Sequence, residues 1–300
     1  MNKPFIHLRT LSSYSLSESA LKIKNIVNLA KKNNMPAIAL TDNNNMFGAL
    51  EFSLECSSNG IQPIIGASIN ILDVNYKDKV SQITFLVKNE KGYKNLLYLT
   101  SLCHVSENYP IGIYLNDIQK YSEGLFCFLG GEFNPLLILH NNRKVNLIEP
   151  FLKSLLNIFD KNLLFELQRI EENEINSFEN YFIELSNRFN VPLIGTNNIK
   201  FENKEDYSAH DALLCIAQKT TINSSKRKSS NPNLYFKNNH EMLQLFKDVP
   251  EIIENNFNVA INCNYFPIEI NPRLPKFHHD NDLTEKDLLI NNSKEGLKKK

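Results

Sequence analysis

Short apolar runs that stop abruptly in polar loops, alternating with helical patterns, recur along this chain. Phe5–Leu8, Ala37–Leu40, Pro63–Ile65, Ile69–Asp73, Ile83–Val87, Leu125–Leu129, Leu163–Leu167 and Pro192–Gly195 read as strands. Between them, Ile23, Ile26, Val27 and Ala30 fall on one face of a helix that Asn33, Asn34 and Pro36 end. A helix through Ala49, Phe52 and Cys56 stops at Gly60, a residue suited to the left-handed turn of a C-terminal cap. Helical patterns also cover Tyr93–Leu102, Asn146–Ile158 and Ile175–Arg188. This alternation predicts an α/β fold with mostly parallel strands. Such folds place their chemistry where strand C-termini meet loops. The informative loops are then His7–Ser15, Thr41–Asn45, Gly66–Ser68, Leu129–Glu132 and Gly195–Lys200.

Beyond Phe201 the strand pattern ceases. Asp206–Lys219 and Glu241–Cys263 read as helices, separated by the Ser-, Asn- and Lys-rich stretch Asn223–Asn233. Lys226-Arg227-Lys228 within it reads as a solvated charge run. Pro267, Pro272 and Pro275 mark a linker, and Leu283–Lys300 begins a new charged helix with no natural cap at its end, as in an excerpt of a longer chain. His278-His279-Asp280 has the residue types of a metal trio, but adjacent loop histidines rarely complete a site.

Composition limits the function classes. The 33 basic and 33 acidic residues cancel, whereas a domain gripping nucleic acid through its phosphates is usually basic. Cys56, Cys103, Cys127, Cys215 and Cys263 form no C-x-x-C pair and read as reduced, buried thiols. No segment has the ~20 consecutive apolar residues of a membrane span, and the N-terminus lacks the apolar run of a signal peptide, so a cytoplasmic protein is expected. The 43 asparagines, with 27 lysines against six arginines, follow AT-rich codon usage, so many asparagines record mutation pressure. No G-x-G-x-x-G or P-loop occurs, and the Gly130-Gly131 turn is too short to cradle a phosphate.

The loops carry a family resemblance. Phe5-Ile6-His7-Leu8-Arg9-Thr10 with Tyr14-Ser15-Leu16 resembles the opening of the PHP (polymerase and histidinol phosphatase) domain, in the form found at the N-terminus of bacterial replicative DNA polymerase III alpha subunits. Pro36 through Asp42 is similar to that family's second strand and T-D-H loop. Asn45 to Phe52 and Gly60-Ile61-Gln62-Pro63-Ile64-Ile65-Gly66 resemble the helix and strand that follow. Phe165-Glu166-Leu167-Gln168 and Pro192 through Asn197 resemble two later strands. Ala209-His210-Asp211 and Asp248-Val249-Pro250-Glu251 resemble the segment beyond, and Leu274-Pro275-Lys276-Phe277 the exit toward a polymerase body. The resemblance implies an irregular seven-stranded (β/α) barrel. The expected boundaries are a PHP domain over residues 1–270, with a barrel core to about 201 and a helical extension from 202, then a linker and the start of the polymerase body over 271–300.

Metal-competent members are expected to hold divalent ions with His, Asp, Glu and Cys at the strand ends. Carried over position by position, the pattern is largely lost. The opening H-x-H reads His7-Leu8-Arg9, and arginine has no lone pair to give. The expected aspartate falls at Glu18, the histidine of T-D-H at Asn43, and the glutamate of G-x-E at Ser68. Further ligands fall at Leu102 (with His104 two residues on), Gly131 and Ile170. The closing D-x-H reads Asn198-Ile199-Lys200. His7 survives, either as a residual ligand or as a hydrogen-bonded pocket histidine, with Glu18 a partial second. Arg9 and Lys200 read either as a phosphate-binding pair or, preferably, as cations paired with Asp42, Glu18 or Glu166 in place of the metals. Asp42, with no metal or nucleophile beside it, is not expected to act as a base.

The resemblance therefore implies a metal-free, non-catalytic domain with no cofactor of its own, acting as scaffold and as dock for a separate proofreading exonuclease subunit. The whole protein is expected to be a DNA-directed DNA polymerase, using Mg²⁺ in a palm beyond residue 300 and working with other replicase subunits on primer–template DNA. Competing readings are an active PHP-type phosphoesterase, an intrinsic 3′–5′ exonuclease, and a pure interaction module.

Overall fold

Alternate residues along the strands sort the apolar side chains into two layers. The computed structural model describes residues 3–76, 79–105, 111–170, 174–272 and 283–299. Its strands are β1 (Ala37–Asn43), β2 (Gln62–Tyr76), β3 (Lys79–Val87), β4 (Leu125–Gly130), β5 (Leu163–Gln168) and β6 (Leu193–Thr196). They form a six-stranded sheet in sequence order that curls into a half-barrel. Ala39, Ile64, Leu86, Phe128, Leu164 and Ile194 meet on the inner face, together with Ile6 and Leu8. Their neighbours Ile38, Leu40, Ile65, Phe85, Leu129 and Phe165 belong to the outer layer, which the helices cover.

The helices are α1 (Ile23–Lys32), α2 (Ala49–Ser58), α3 (Glu90–Val105), α4 (Leu115–Lys120), α5 (Pro135–Asn141), α6 (Ile148–Phe159), α7 (Glu174–Phe189), α8 (Tyr207–Ala217), α9 (Asn239–Leu245), α10 (Glu251–Asn262) and α11 (Glu285–Lys298). Helix α1 buries Ile23, Ile26, Val27 and Ala30, as its spacing dictates. Helix α10 inserts Val259 and Ala260 into the inner cluster and so plugs one end of the half-barrel. Its Asn256, fully buried, accepts from the Gly195 amide at 3.1 Å and donates to the carbonyls of Gly195 at 2.7 Å and Ile6 at 3.1 Å. One side chain thereby satisfies backbone groups of β6 and of the N-terminal segment at once.

Several sequence expectations need correction. The sheet is mixed: β2–β3 and β3–β4 are antiparallel, while β1–β2, β4–β5 and β5–β6 are parallel. The connection from Tyr76 to Lys79 is too short for a parallel crossover. The two runs Pro63–Ile65 and Ile69–Asp73 are one strand, β2, with a register shift between Ile71 and Asn75. Phe5–Leu8 forms no regular ladder. The segment continues instead into an isolated parallel bridge from Thr10 to Ile199. The run Glu241–Cys263 splits into α9 and α10 at Asp248–Pro250, where proline disfavours a helical residue before it. Helices α4 and α5 carried no clear periodicity. Lys226-Arg227-Lys228 is not merely solvated: Arg227 makes two 2.7 Å bonds to Asp211, and Lys228 pairs with Glu132 at 2.5 Å.

Two compact units are present, Met1–Ile268 and Glu269–Lys300. In the second, Thr284 caps α11 by accepting from the Asp287 amide at 3.2 Å. Pro275, His278-His279-Asp280 and Leu274–Phe277 lie outside the described residues. Among the described residues no helix is long and apolar enough to cross a membrane.

Candidate functional site

Along the inner face, apolar side chains give way to polar ones toward the strand C-termini. Leu164 of β5 is followed on the same side by Glu166 and Gln168, Ile194 of β6 by Thr196, and Ala39 of β1 by Thr41 and Asn43. The loop after β4 adds Gly131, and the extended segment before α1 adds Arg9, Ser12, Ser15 and Glu18.

Arg9 and Glu166 form the centre. Arg9 Nη1 donates to Glu166 Oε2 at 2.8 Å, with side chains 5% and 0% exposed. The other carboxylate oxygen accepts from Gln168 Nε2 at 2.7 Å and from the Thr196 hydroxyl. Gly131 sits against this group at φ +72°. A Cβ there would stand 3.0 Å from Gln168 Oε1 and 3.2 Å from Arg9 Nη1. The position where the family pattern calls for a cysteine is thus kept small beside the guanidinium.

Asp42 closes the opening loop. Its oxygens accept from the Ser12 amide at 2.7 Å, the Ser12 hydroxyl at 2.7 Å and the Ser15 hydroxyl at 2.6 Å. Burial raises its carboxyl above the usual range, against the lowering effect of those bonds. Asn43 donates its side-chain amide to Glu18, so the residues at two positions where ligands were expected hold each other. Ser68 shares a 2.9 Å bond with Thr84. His7, fully buried, places Nε2 2.8 Å from the Lys237 carbonyl oxygen, and burial lowers its pKa to about 4. The imidazole is therefore neutral at physiological pH.

The remaining sequence candidates stand apart from this network or at its rim. Leu102 packs partly buried against the outer core. His104 is exposed on α3, its Nε2 2.8 Å from the Asn44 carbonyl. Ile170 contributes its backbone carbonyl, which accepts from Asn233 at 3.0 Å. Asn198 has a buried amide oxygen without a protein partner. Lys200 is half-buried, and burial lowers its ammonium pKa against the raising influence of Glu18. Of the acids expected for the two cations, Glu166 takes Arg9. Asp42 is held by serines instead.

Sequence reasoning missed several members. Gln168, Thr196 and Ser15 were visible only as parts of motifs, Ser12 only as a member of the His7–Ser15 loop, and Lys237, which bonds Asn197 Oδ1 at 3.0 Å, was not singled out. Glu166 gave one usable signal: a charge inside an otherwise apolar strand needs a buried partner. Arg169 was also missed. It joins Glu179 of α7 at 2.6 Å to Asp248 at 2.5 Å and the Leu245 carbonyl at 2.7 Å, tying α7 to α9.

These side chains do not fit a divalent metal cluster. Such a cluster needs several free imidazole and carboxylate donors converging on each ion. Here the carboxylates of Glu166, Asp42 and Glu18 are engaged by Arg9, serines and Asn43, and His7 keeps only Nδ1 unengaged. The Arg9 guanidinium stands where the sequence pattern expected a ligand, and its fixed charge repels a dication. Among the described residues, no three His, Cys, Asp or Glu side chains gather as a metal-holding group.

A profile of the PHP domain matches residues 7–170. The DNA polymerase III subunit alpha of Rickettsia conorii is 40% identical over 99% of this chain and 25% of its own length. That of Caulobacter vibrioides is 33% identical over 98% of this chain and 26% of its own. The chain thus spans about a quarter of the length of these curated relatives. Among solved structures, an amidohydrolase from Chromobacterium violaceum aligns over 67% of this chain and 88% of its own, with a TM-score of 0.41 and 12% identity.

Proposed function

The chain belongs to the PHP domain family, and from that premise we propose that it forms the N-terminal PHP domain of a replicative DNA polymerase III alpha subunit. In this role it works without metal, as a structural scaffold and as the dock for a separate proofreading exonuclease subunit. The whole protein is then a cytoplasmic DNA-directed DNA polymerase acting on primer–template DNA with other replicase subunits. Its Mg²⁺ ions belong to a palm domain outside these residues.

The buried Arg9–Glu166 pair carries the metal-free reading. A permanent cation at the second position of the opening motif supplies the positive charge that would otherwise come from an ion. The same reading takes the segment through His7 and Thr10 as a seventh strand closing the barrel. Its support is the Ala39 amide donating to the His7 carbonyl at 2.9 Å, the Thr41 amide to Thr10 at 2.8 Å, and the Leu11 amide to Ile199 at 3.1 Å. The PHP domain then covers residues 1–270.

The scaffold reading is tested by co-purifying the full-length protein with its proofreading exonuclease, with and without residues 1–270. Loss of the exonuclease from the truncated protein, with polymerase activity measured alongside, is the expected result. Retention at full stoichiometry would remove the docking role.

A further inference from the structure

The balanced charge of the chain hides an uneven distribution. From Ala212 to His240 the sequence holds Lys219, Lys226, Arg227, Lys228 and Lys237 and no acidic residue. AT-rich codon usage raises lysine along the whole chain, but 33 acidic residues accompany it, so usage alone does not clear one stretch of acids. Salt screens exposed charges beyond about 8–10 Å, so a partner at this surface meets the local excess rather than the cancelled total.

The loop that follows α8 is held in one shape. Arg227 grips both oxygens of Asp211 at 2.7 Å and donates Nε to the Ile222 carbonyl at 2.9 Å. The Gln218 side chain pairs reciprocally with the Lys228 backbone, donating to its carbonyl at 2.8 Å and accepting from its amide at 2.7 Å. The Ser230 amide closes the base of the loop on Asp211 at 2.8 Å. These bonds use up Arg227, and Glu132 takes Lys228. Lys219, Thr221, Asn223, Ser225, Lys226 and Ser229 are left exposed, their side chains without a hydrogen bond or ion pair among the described residues.

Ammonium, hydroxyl and amide groups are the ones proteins set against phosphate and sugar, where contacts position a nucleic acid without reading its sequence. A loop fixed beforehand loses little backbone freedom on contact. A small anion needs donors converging on one point, whereas side chains strung along an exposed loop suit an extended polyanion. We propose that the 218–229 loop contacts the sugar–phosphate backbone of the DNA on which the full-length protein works, through Lys219, Lys226 and the neighbouring hydroxyls. The proposal rests on the polymerase reading of the whole protein.

Full-length protein carrying Lys219→Gln and Lys226→Gln tests it, by fluorescence anisotropy with a primer–template duplex across a salt series. Each lost phosphate contact takes about 0.9 from the slope of log affinity against log salt. The pair should therefore take nearly two, and weaken binding by up to about sixty-fold at 0.1 M salt. Lys24→Gln with Lys32→Gln removes the same charge from exposed positions of α1 and should leave affinity and slope unchanged. Equal weakening in both pairs would mean a net-charge effect, and unchanged binding in the loop variant would mean no contact; either result overturns the proposal. Ile216 and Ile222 are exposed beside the lysines, so phosphatidylglycerol vesicles are the competing partner. Vesicle binding lost with Lys219 and Lys226, while DNA binding holds, overturns the proposal in favour of a lipid surface. Primer extension by the parent protein keeps the two readings apart. A parent that extends the primer, with a loop variant that binds DNA as tightly, defeats the loop contact alone. A parent that neither binds nor extends the duplex defeats the polymerase reading and the loop contact with it.

Discussion

Arg9→Met removes a buried cation while keeping most of its volume. Glu166 is then fully buried with two neutral donors, Gln168 and Thr196, and no charge partner. Breaking a buried ion pair from one side costs about 3–5 kcal/mol, most of it the burden of the charge left behind. The two remaining hydrogen bonds hold the cost toward the lower end, about 3 kcal/mol. For a domain of this size that corresponds to a fall in Tm of about 6–12 °C. Glu166→Gln alone strands Arg9 and is destabilising by a similar amount. The double variant, carrying both changes, removes both charges and should return to within about 1 kcal/mol of the parent. Urea and thermal unfolding of the four proteins gives the coupling energy directly. An Arg9→Met protein within about 0.5 kcal/mol of the parent, or a double variant no more stable than either single one, would mean that Arg9 and Glu166 do not neutralise each other.

Three further outcomes follow from the same geometry. His7 takes up a proton near pH 4 in the fold but near 6.5 when unfolded, so the unfolded chain binds the proton first as pH falls. Its contribution to stability is complete above pH 6.5 and is lost between 6.5 and 4, about 3 kcal/mol in all; denaturant titrations across that range should show the slope, and His7→Leu should flatten it. Asn256→Leu leaves the Gly195 amide and the carbonyls of Gly195 and Ile6 without their partner, a loss of about 3 kcal/mol that urea unfolding should register along with faster exchange of the Gly195 amide. Arg9→His should not create a metal site, because Asn43, Ser68, Gly131, Asn198 and Lys200 still lack the required donors; zinc titration by calorimetry should show no nanomolar binding.

The strand ends were legible because an apolar run that meets a polar loop marks both a core strand and a place for chemistry. Departures from the expected ligand pattern were legible for a related reason: arginine, asparagine and glycine at motif positions are chemically unmistakable. What Arg9 does instead was only half legible. The acids within reach were named, but Glu166 lies far along the chain and no local pattern chooses it over Asp42. Asp42 proved to be taken by Ser12 and Ser15, whose spacing around Tyr14 looks like ordinary loop composition. Asn256 was hidden by the asparagine excess itself. In a chain with 43 asparagines, one that joins Gly195 to Ile6 has no distinguishing neighbour. Helices α4 and α5 were missed because six- and seven-residue helices are too short to establish a period.

Metal content separates a metal-free site from a metal-holding one. Purified protein, prepared without chelator and supplied with Zn²⁺, Mn²⁺ or Fe²⁺, would be desalted and analysed by elemental mass spectrometry, then assayed on a phosphodiester before and after chelation. A metal-free site should carry less than about one-tenth equivalent of any transition metal, on the order of trace carry-over for a site lacking its donors, and these residues should show no chelator-sensitive hydrolysis. Stoichiometric metal whose removal abolishes phosphodiester cleavage would contradict the metal-free reading and restore the site to catalysis.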